Sequence, residues 1–145
     1  MSALRVADAV EGVKYRVYPD TPVSEVVDLM VRRGARAIPV VGDRYEVLGI
    51  ITTGDALREL LDEGRGEGDK GEGPILARDI MTRAVLCVSE TQPLADAARM
   101  MANRRVQQLP VVREGELIGL ITRDAVLQAL HAEDTSPTRE RDDDA

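Results

Sequence analysis

Residues 38–52, Ile38-Pro39-Val40-Val41-Gly42-Asp43-Arg44-Tyr45-Glu46-Val47-Leu48-Gly49-Ile50-Ile51-Thr52, return later in the chain as residues 109–122, Leu109-Pro110-Val111-Val112-Arg113-Glu114-Gly115-Glu116-Leu117-Ile118-Gly119-Leu120-Ile121-Thr122. Proline, glycine and threonine keep their places, and the second copy is one residue shorter in the turn. Working outward, Val17, Pro22, Met30 and Arg33 fall on Val88, Pro93, Met101 and Arg104 at an offset of 71. Further upstream, Val6-Ala7-Asp8-Ala9-Val10 falls on Ala77-Arg78-Asp79-Ile80-Met81 at the same offset. Internal repetition of this length defines one supersecondary unit used twice, and it decides the architecture.

Each copy reads as βαββα. In the first, residues 15–18 form a short strand, and Pro22 sits at a helix start with Asp20 or Thr21 as cap. Val23, Val26, Val27, Met30 and Val31 recur at helical spacing and mark a buried face, and Gly34 ends the helix. The apolar runs 38–41 and 47–51 are strands of a hairpin turning at 42–45. Thr52 then caps a helix carrying Ala56, Leu57, Leu60 and Leu61. The second copy gives a strand at 85–88, a helix at 93–104, strands at 107–112 and 116–121, and a helix from 122 to about 131. This is an α+β (α/β) chain in two parts, residues 4–61 and 75–131. Between them, residues 62–74 are a glycine-rich charged linker, and residues 132–145 are an acidic tail. A half of about 55 residues is marginal alone, so the two copies are expected to pack sheet to sheet around a pseudo-twofold axis, with two clefts between them.

Composition bounds what the clefts hold. The apolar 43% of the 145 residues is almost entirely aliphatic, with no Phe or Trp and three Tyr, which suits β-branched strands covered by helices. Net charge is −7, and Arg32-Arg33 and Arg104-Arg105 are the densest basic pairs, which disfavours nucleic acid. No apolar run approaches the ~18 residues of a membrane span, and the N-terminus lacks a secretory signal, so a cytoplasmic chain is expected. Cys87 is the single cysteine and His131 the single histidine, so neither a nucleophile–base pair nor a metal cluster can be assembled, and no catalytic residue is expected. Cys87, Met30, Met100 and Met101 read as core or packing residues.

Thr52-Thr53-Gly54-Asp55 is the stretch with chemical potential. It leaves a buried strand and opens a helix, so backbone N–H groups and hydroxyls point out of a helix N-terminus, where an anion is favoured. Asp55 can accept two hydrogen bonds from a vicinal diol such as a ribose. The same residues also read as an N-cap and a first-turn carboxylate with no ligand.

Both copies resemble cystathionine-β-synthase (CBS) domains, and the pair resembles a stand-alone tandem CBS module over about residues 4–131. The shared pattern is Ile38-Pro39-Val40 and Leu109-Pro110-Val111, then Gly49-Ile50-Ile51-Thr52 and Gly119-Leu120-Ile121-Thr122. Asp55 follows Thr52 by three residues, and Asp79-Ile80-Met81-Thr82 resembles the lead-in motif of such domains. The resemblance implies a non-catalytic module that binds an adenine nucleotide (AMP, ADP or ATP) and reports cellular energy state. Its alternatives are S-adenosylmethionine as ligand, or a structural dimerisation module with vestigial clefts. Carried onto this chain, it puts Thr52 and Arg36 near phosphate, Asp55 on ribose beside Thr53 and Gly54, and Thr82, Val85, Gln107 and Gln108 at the adenine end. The second cleft departs from the pattern. Ala125 stands where Asp55 stands, Asp124 is displaced by about 100° around the helix, and Glu11 replaces Thr82, leaving Thr122 and Asp124 as a weaker site. The helices at 22–33 and 93–104 are expected to leave faces for a homodimer, and an unidentified regulated protein is expected to read the bound state.

Overall fold

A computed structural model describes residues 3–61, 73–83 and 85–134. Most of the linker (62–72) and of the acidic tail (135–145) lies outside them. In chain order the described residues form a 3-10 turn η1 (Val6–Asp8), β1 (Glu11–Gly12), α1 (Val23–Arg33), β2 (Ala37–Val41), β3 (Val47–Thr52), α2 (Thr53–Leu61), α3 (Ala77–Ile80), β4 (Val88–Ser89), α4 (Leu94–Arg104), β5 (Gln108–Arg113), β6 (Glu116–Thr122) and α5 (Arg123–Asp134). They divide into two compact units. The first is Val13–Val85 with Glu114–Leu117; the second is Met1–Gly12, Leu86–Arg113 and Ile118–Ala145.

In the first unit, β2 and β3 pair antiparallel, with Ile38 opposite Ile51 and Val40 opposite Gly49. Val17 bridges Val40 in parallel, its N–H donating to the Pro39 carbonyl and its carbonyl accepting from Val41 N, both at 3.0 Å. The strand expected at 15–18 is thus one bridge, because Pro19 follows two residues on and has no N–H to extend the ladder. Beyond β3 lies Thr82, which exchanges two backbone hydrogen bonds with Ile50 at 2.9 and 3.0 Å. The second unit repeats this order as β4, β5, β6 and β1: Val88 pairs in parallel with Val111, and Glu11 pairs antiparallel with Leu120.

The lead-in segments are therefore exchanged. Residues preceding the second repeat complete the sheet of the first, and residues preceding the first repeat complete the sheet of the second. Packing follows the same exchange. Ala77 is buried among Val17, Val26, Met30, Ile38, Val40, Ile51 and Ala56. Val6, at the matching offset, is buried among Val88, Leu94, Ala97, Met101, Leu109, Val111, Ile121 and Val126. Burying an aliphatic side chain of that size contributes about 1.5–3 kcal/mol, which sets the strength of the Val6 anchor.

The exchange also explains the helix starts. Neither Asp20 nor Thr21 caps α1. The N-cap is Pro22, which makes no side-chain cap bond, and the Thr21 hydroxyl instead accepts from Tyr18 N at 3.0 Å. The orphan N–H of Val23 donates to the Ile75 carbonyl at 2.9 Å, and Leu94 N donates to the Leu4 carbonyl at 2.8 Å. A lead-in carbonyl takes the place of the capping side chain in both copies. At the other end Gly34 adopts φ 73° and donates to the Met30 carbonyl, as a left-handed C-cap should.

Val23, Val26 and Met30 are buried, but Val31 is 77% exposed, because it sits about 100° round the helix from Met30. Large exposed apolar side chains lie mainly on α2 (Leu57, Leu60 and Leu61), with Val31 on α1 and Leu127 on α5, and none on α4. Among the described residues no helix is long and apolar enough to cross a membrane.

Candidate ligand site

Two glycines place the lead-in segments. A Cβ on Gly49 would lie 2.7 Å from Met81 Sδ and 2.8 Å from the Thr82 carbonyl oxygen. A Cβ on Gly119 would likewise collide with the Glu11 carbonyl and the Val10 side chain. Only a residue without a side chain lets the extra strand approach β3 or β6 this closely. Ile50 and Thr52 share a face of β3, since side chains alternate, and Thr82 is the direct partner of Ile50. Thr82 therefore joins Thr52 on one face, although 30 residues separate them in the chain.

Thr52 ends β3 and caps α2. Its backbone N–H donates to Asp55 Oδ2 at 2.8 Å and its hydroxyl donates to the same oxygen at 3.1 Å. Asp55 N returns a longer bond to Thr52 Oγ1 at 3.4 Å. This reciprocal pairing is a capping box with Asp in the third position. Thr53 N donates to the Arg36 carbonyl at 3.1 Å, which holds the α2 start against the beginning of β2. Asp55 is 7% exposed, and it is the one charged residue buried among those described. A buried carboxylate needs partners for its charge, and the remaining oxygen has one. Arg58 Nη2 donates to Asp55 Oδ1 at 2.5 Å, from a side chain that is 71% exposed.

The first unit thus links Arg36, Thr52, Thr53, Gly54 and Asp55 at the α2 start, with Thr82 paired beside Ile50. Val85 lies in the same unit, its N–H donating to the Arg83 carbonyl at 2.9 Å. Arg36, Thr53, Gly54 and Thr82 are exposed and Val85 is half-buried. A Cβ on Gly54 would meet Thr52 Oγ1 at 3.6 Å and Arg58 Nη1 at 3.8 Å, ordinary contacts, so the fold alone does not require glycine there. Gln107 and Gln108 belong to the second unit. There the Gln107 carbonyl accepts from Arg123 N at 3.0 Å, the place Arg36 holds against Thr53. Arg58 was not among the residues expected at the site. Its spacing of three from Asp55 was the available signal, since an Asp–Arg pair at that spacing shares a helix face.

The corresponding turn of the second unit keeps the cap and loses the carboxylate. Thr122 Oγ1 accepts from Ala125 N at 3.1 Å, while Asp124 is exposed. Glu11 faces Leu120 where Thr82 faces Ile50. Among the described residues no group of three or more His, Cys, Asp or Glu side chains is placed to hold a metal. Cys87 is half-buried, and burial pushes its thiol pKa up.

A duplicated βαββα chain with exchanged lead-in strands, a glycine under each and a Thr-capped helix after each hairpin is a tandem-repeat module in form. The chain belongs to the CBS domain family, which matches it at residues 14–62 and 77–132. It is similar to the chloroplastic CBS domain-containing protein CBSX2 of Arabidopsis thaliana, 29% identical over 136 residues, covering 78% of this chain and 57% of that protein. An uncharacterized 33.4 kDa protein of Thermofilum pendens is 33% identical over 128 residues, covering 86% of this chain and 40% of that one. The chain spans about half the length of the curated relatives it matches. Among solved structures, CBSX2 in complex with AMP superposes with a TM-score of 0.79 at 29% identity, covering 90% of this chain and 98% of that one. A CBS domain pair in complex with 5′-methylthioadenosine and S-adenosyl-L-methionine shares the fold, with a TM-score of 0.75 at 19% identity, over 90% and 98% of the two chains.

Proposed function

We propose that the chain is a non-catalytic regulatory module that binds an adenine nucleotide (AMP, ADP or ATP) at the α2 start, with Asp55 receiving the ribose hydroxyls. The buried Asp55 carboxylate carries the reading, held between Arg58 and Thr52, the residue whose strand face Thr82 joins. A charge is kept in a buried first turn in one repeat, while the other repeat builds the same capped helix with Ala125. The cap therefore does not need the carboxylate. The AMP complex of CBSX2 supports the ligand class.

In this reading Thr53, Gly54 and Arg36 serve the phosphate, Thr52 lies beside it with both its donors holding Asp55 in place, and Thr82 and Val85 serve the base. The ligand acts by differential binding: it stabilises one arrangement of a homodimer, and a protein partner reads that arrangement in the cytoplasm. Titration calorimetry with AMP, ADP and ATP tests it. Asp55→Ala is expected to lower affinity sharply and Asp124→Ala to do little. The reverse pattern sinks the assignment. The second reading, a purely structural association module, draws on the exposed leucines of α2. It predicts that no nucleotide raises the melting temperature of the wild-type chain.

A further inference from the structure

The acceptor count at Asp55 leaves too little room for a diol. A carboxylate offers about four lone-pair positions. Two on Oδ2 are taken by the Thr52 N–H and hydroxyl, and one on Oδ1 by Arg58. A vicinal diol donating from both hydroxyls needs two positions, so one present donor must leave. The Thr52 donors are fixed by the strand end and the helix cap. Among the described residues Asp55 is the side-chain partner of Arg58, and most of the flexible arginine side chain lies in solvent. It is the donor that can move.

We propose that Arg58 sets the charge class of the ligand: ribose hydroxyls displace it from Asp55, and its guanidinium then pairs with the phosphate of the same ligand. The inference rests on the reading of Asp55 as the ribose acceptor. An uncharged nucleoside must break the Arg58–Asp55 pair and gives the guanidinium no anion in return. A phosphorylated nucleotide exchanges one carboxylate for one phosphate, a bidentate partner well matched to arginine. Arg58 lies on the correct side for this exchange. Its Nη1 is 3.8 Å from where a Gly54 Cβ would be, so the guanidinium already stands over the first turn of α2. The second repeat lacks both members of the pair, with Ala125 and Gln128 at the corresponding positions. The two charges are present together or absent together.

Titration calorimetry of the full chain with AMP and with adenosine, on wild type, Arg58→Gln and Arg58→Lys, tests the proposal. For wild type, AMP is expected to bind at least tenfold more tightly than adenosine. In Arg58→Gln, AMP affinity should fall roughly tenfold to a hundredfold, the worth of one charged hydrogen bond, while adenosine holds or tightens. Arg58→Lys should fall between, because it keeps the charge and loses the fork. An AMP-to-adenosine ratio unchanged by Arg58→Gln overturns the proposal and leaves the nucleotide reading standing. A parallel loss of both ligands does the same, since it marks a merely structural role. Binding of neither ligand to any of the three proteins overturns this inference and removes AMP from the nucleotide reading.

Discussion

Gly49→Ala tests whether the exchanged lead-in strand is what builds the site. The new methyl would stand 2.7 Å from Met81 Sδ and 2.8 Å from the Thr82 carbonyl oxygen. The Met81 thioether can swing aside, but the Thr82 carbonyl is backbone and is held by the Ile50 N–H at 3.0 Å. The strand must therefore retreat from β3, which weakens both Ile50–Thr82 backbone bonds, together worth about 2 kcal/mol net. Replacing glycine by alanine returns about 0.4–1 kcal/mol by restricting the unfolded chain. The expected loss is about 1–2 kcal/mol, read as a fall in melting temperature of roughly 2–8 °C for a chain of this size. The same retreat carries Thr82 away from the face it shares with Thr52, so AMP affinity should fall as well. Gly54→Ala is the matched control: its Cβ finds 3.6 and 3.8 Å contacts, and its stability should stay within about 0.5 kcal/mol of wild type. A Gly49→Ala protein as stable as wild type would refute the reasoning, because the close approach would then not constrain the fold.

Arg105 closes α4 in the left-handed region at φ 56°, where Gly34 closes α1, so Arg105→Gly should stabilise the chain by up to about 1 kcal/mol in a thermal melt. Cys87, whose thiol pKa is raised by burial, should be alkylated by iodoacetamide more slowly than glutathione at pH 8, and its rate should keep rising at more alkaline pH after that of glutathione levels off. A Cys87 rate equal to that of glutathione across the range would contradict its half-buried position.

The repeat made most of the architecture legible, because a proline, a glycine and a threonine held at fixed spacing carry backbone instructions that survive side-chain drift. Gly49 and Gly119 could be noticed as repeated, but what they make room for could not be read locally. Their partners, Thr82 and Glu11, come from the other half of the chain. The same non-locality hid the caps of α1 and α4. A side-chain cap leaves a signature next to the helix, whereas the carbonyls of Ile75 and Leu4 leave none. Val31 departs from the expected face for a simpler reason: apolar identity at an adjacent position does not place a residue on the buried stripe. Of the site, Thr52 and Asp55 were visible because a capping pair is a local pattern. Arg58 was not, because an arginine three residues on is also what an ordinary solvated helix carries.

The two turns share a scaffold, and their charges decide how differently they treat an anion. Around the first, Arg36 and Arg58 contribute two positive charges and Asp55 one negative, with Thr53, Gly54 and Thr82 neutral. Around the second, Gln107, Ala125 and Gln128 are neutral, Arg123 and Asp124 cancel, and Glu11 leaves one negative charge. Both turns offer a helix N-terminus, worth a fraction of a unit positive charge. At the first turn that partial charge adds to a net positive set; at the second, Glu11 opposes it. Duplication of the backbone therefore does not duplicate the chemistry. On the proposed reading, a phosphate held at the first turn would meet a carboxylate at the second. Calorimetry is therefore expected to give one nucleotide per chain, and two equivalent sites would refute the charge argument.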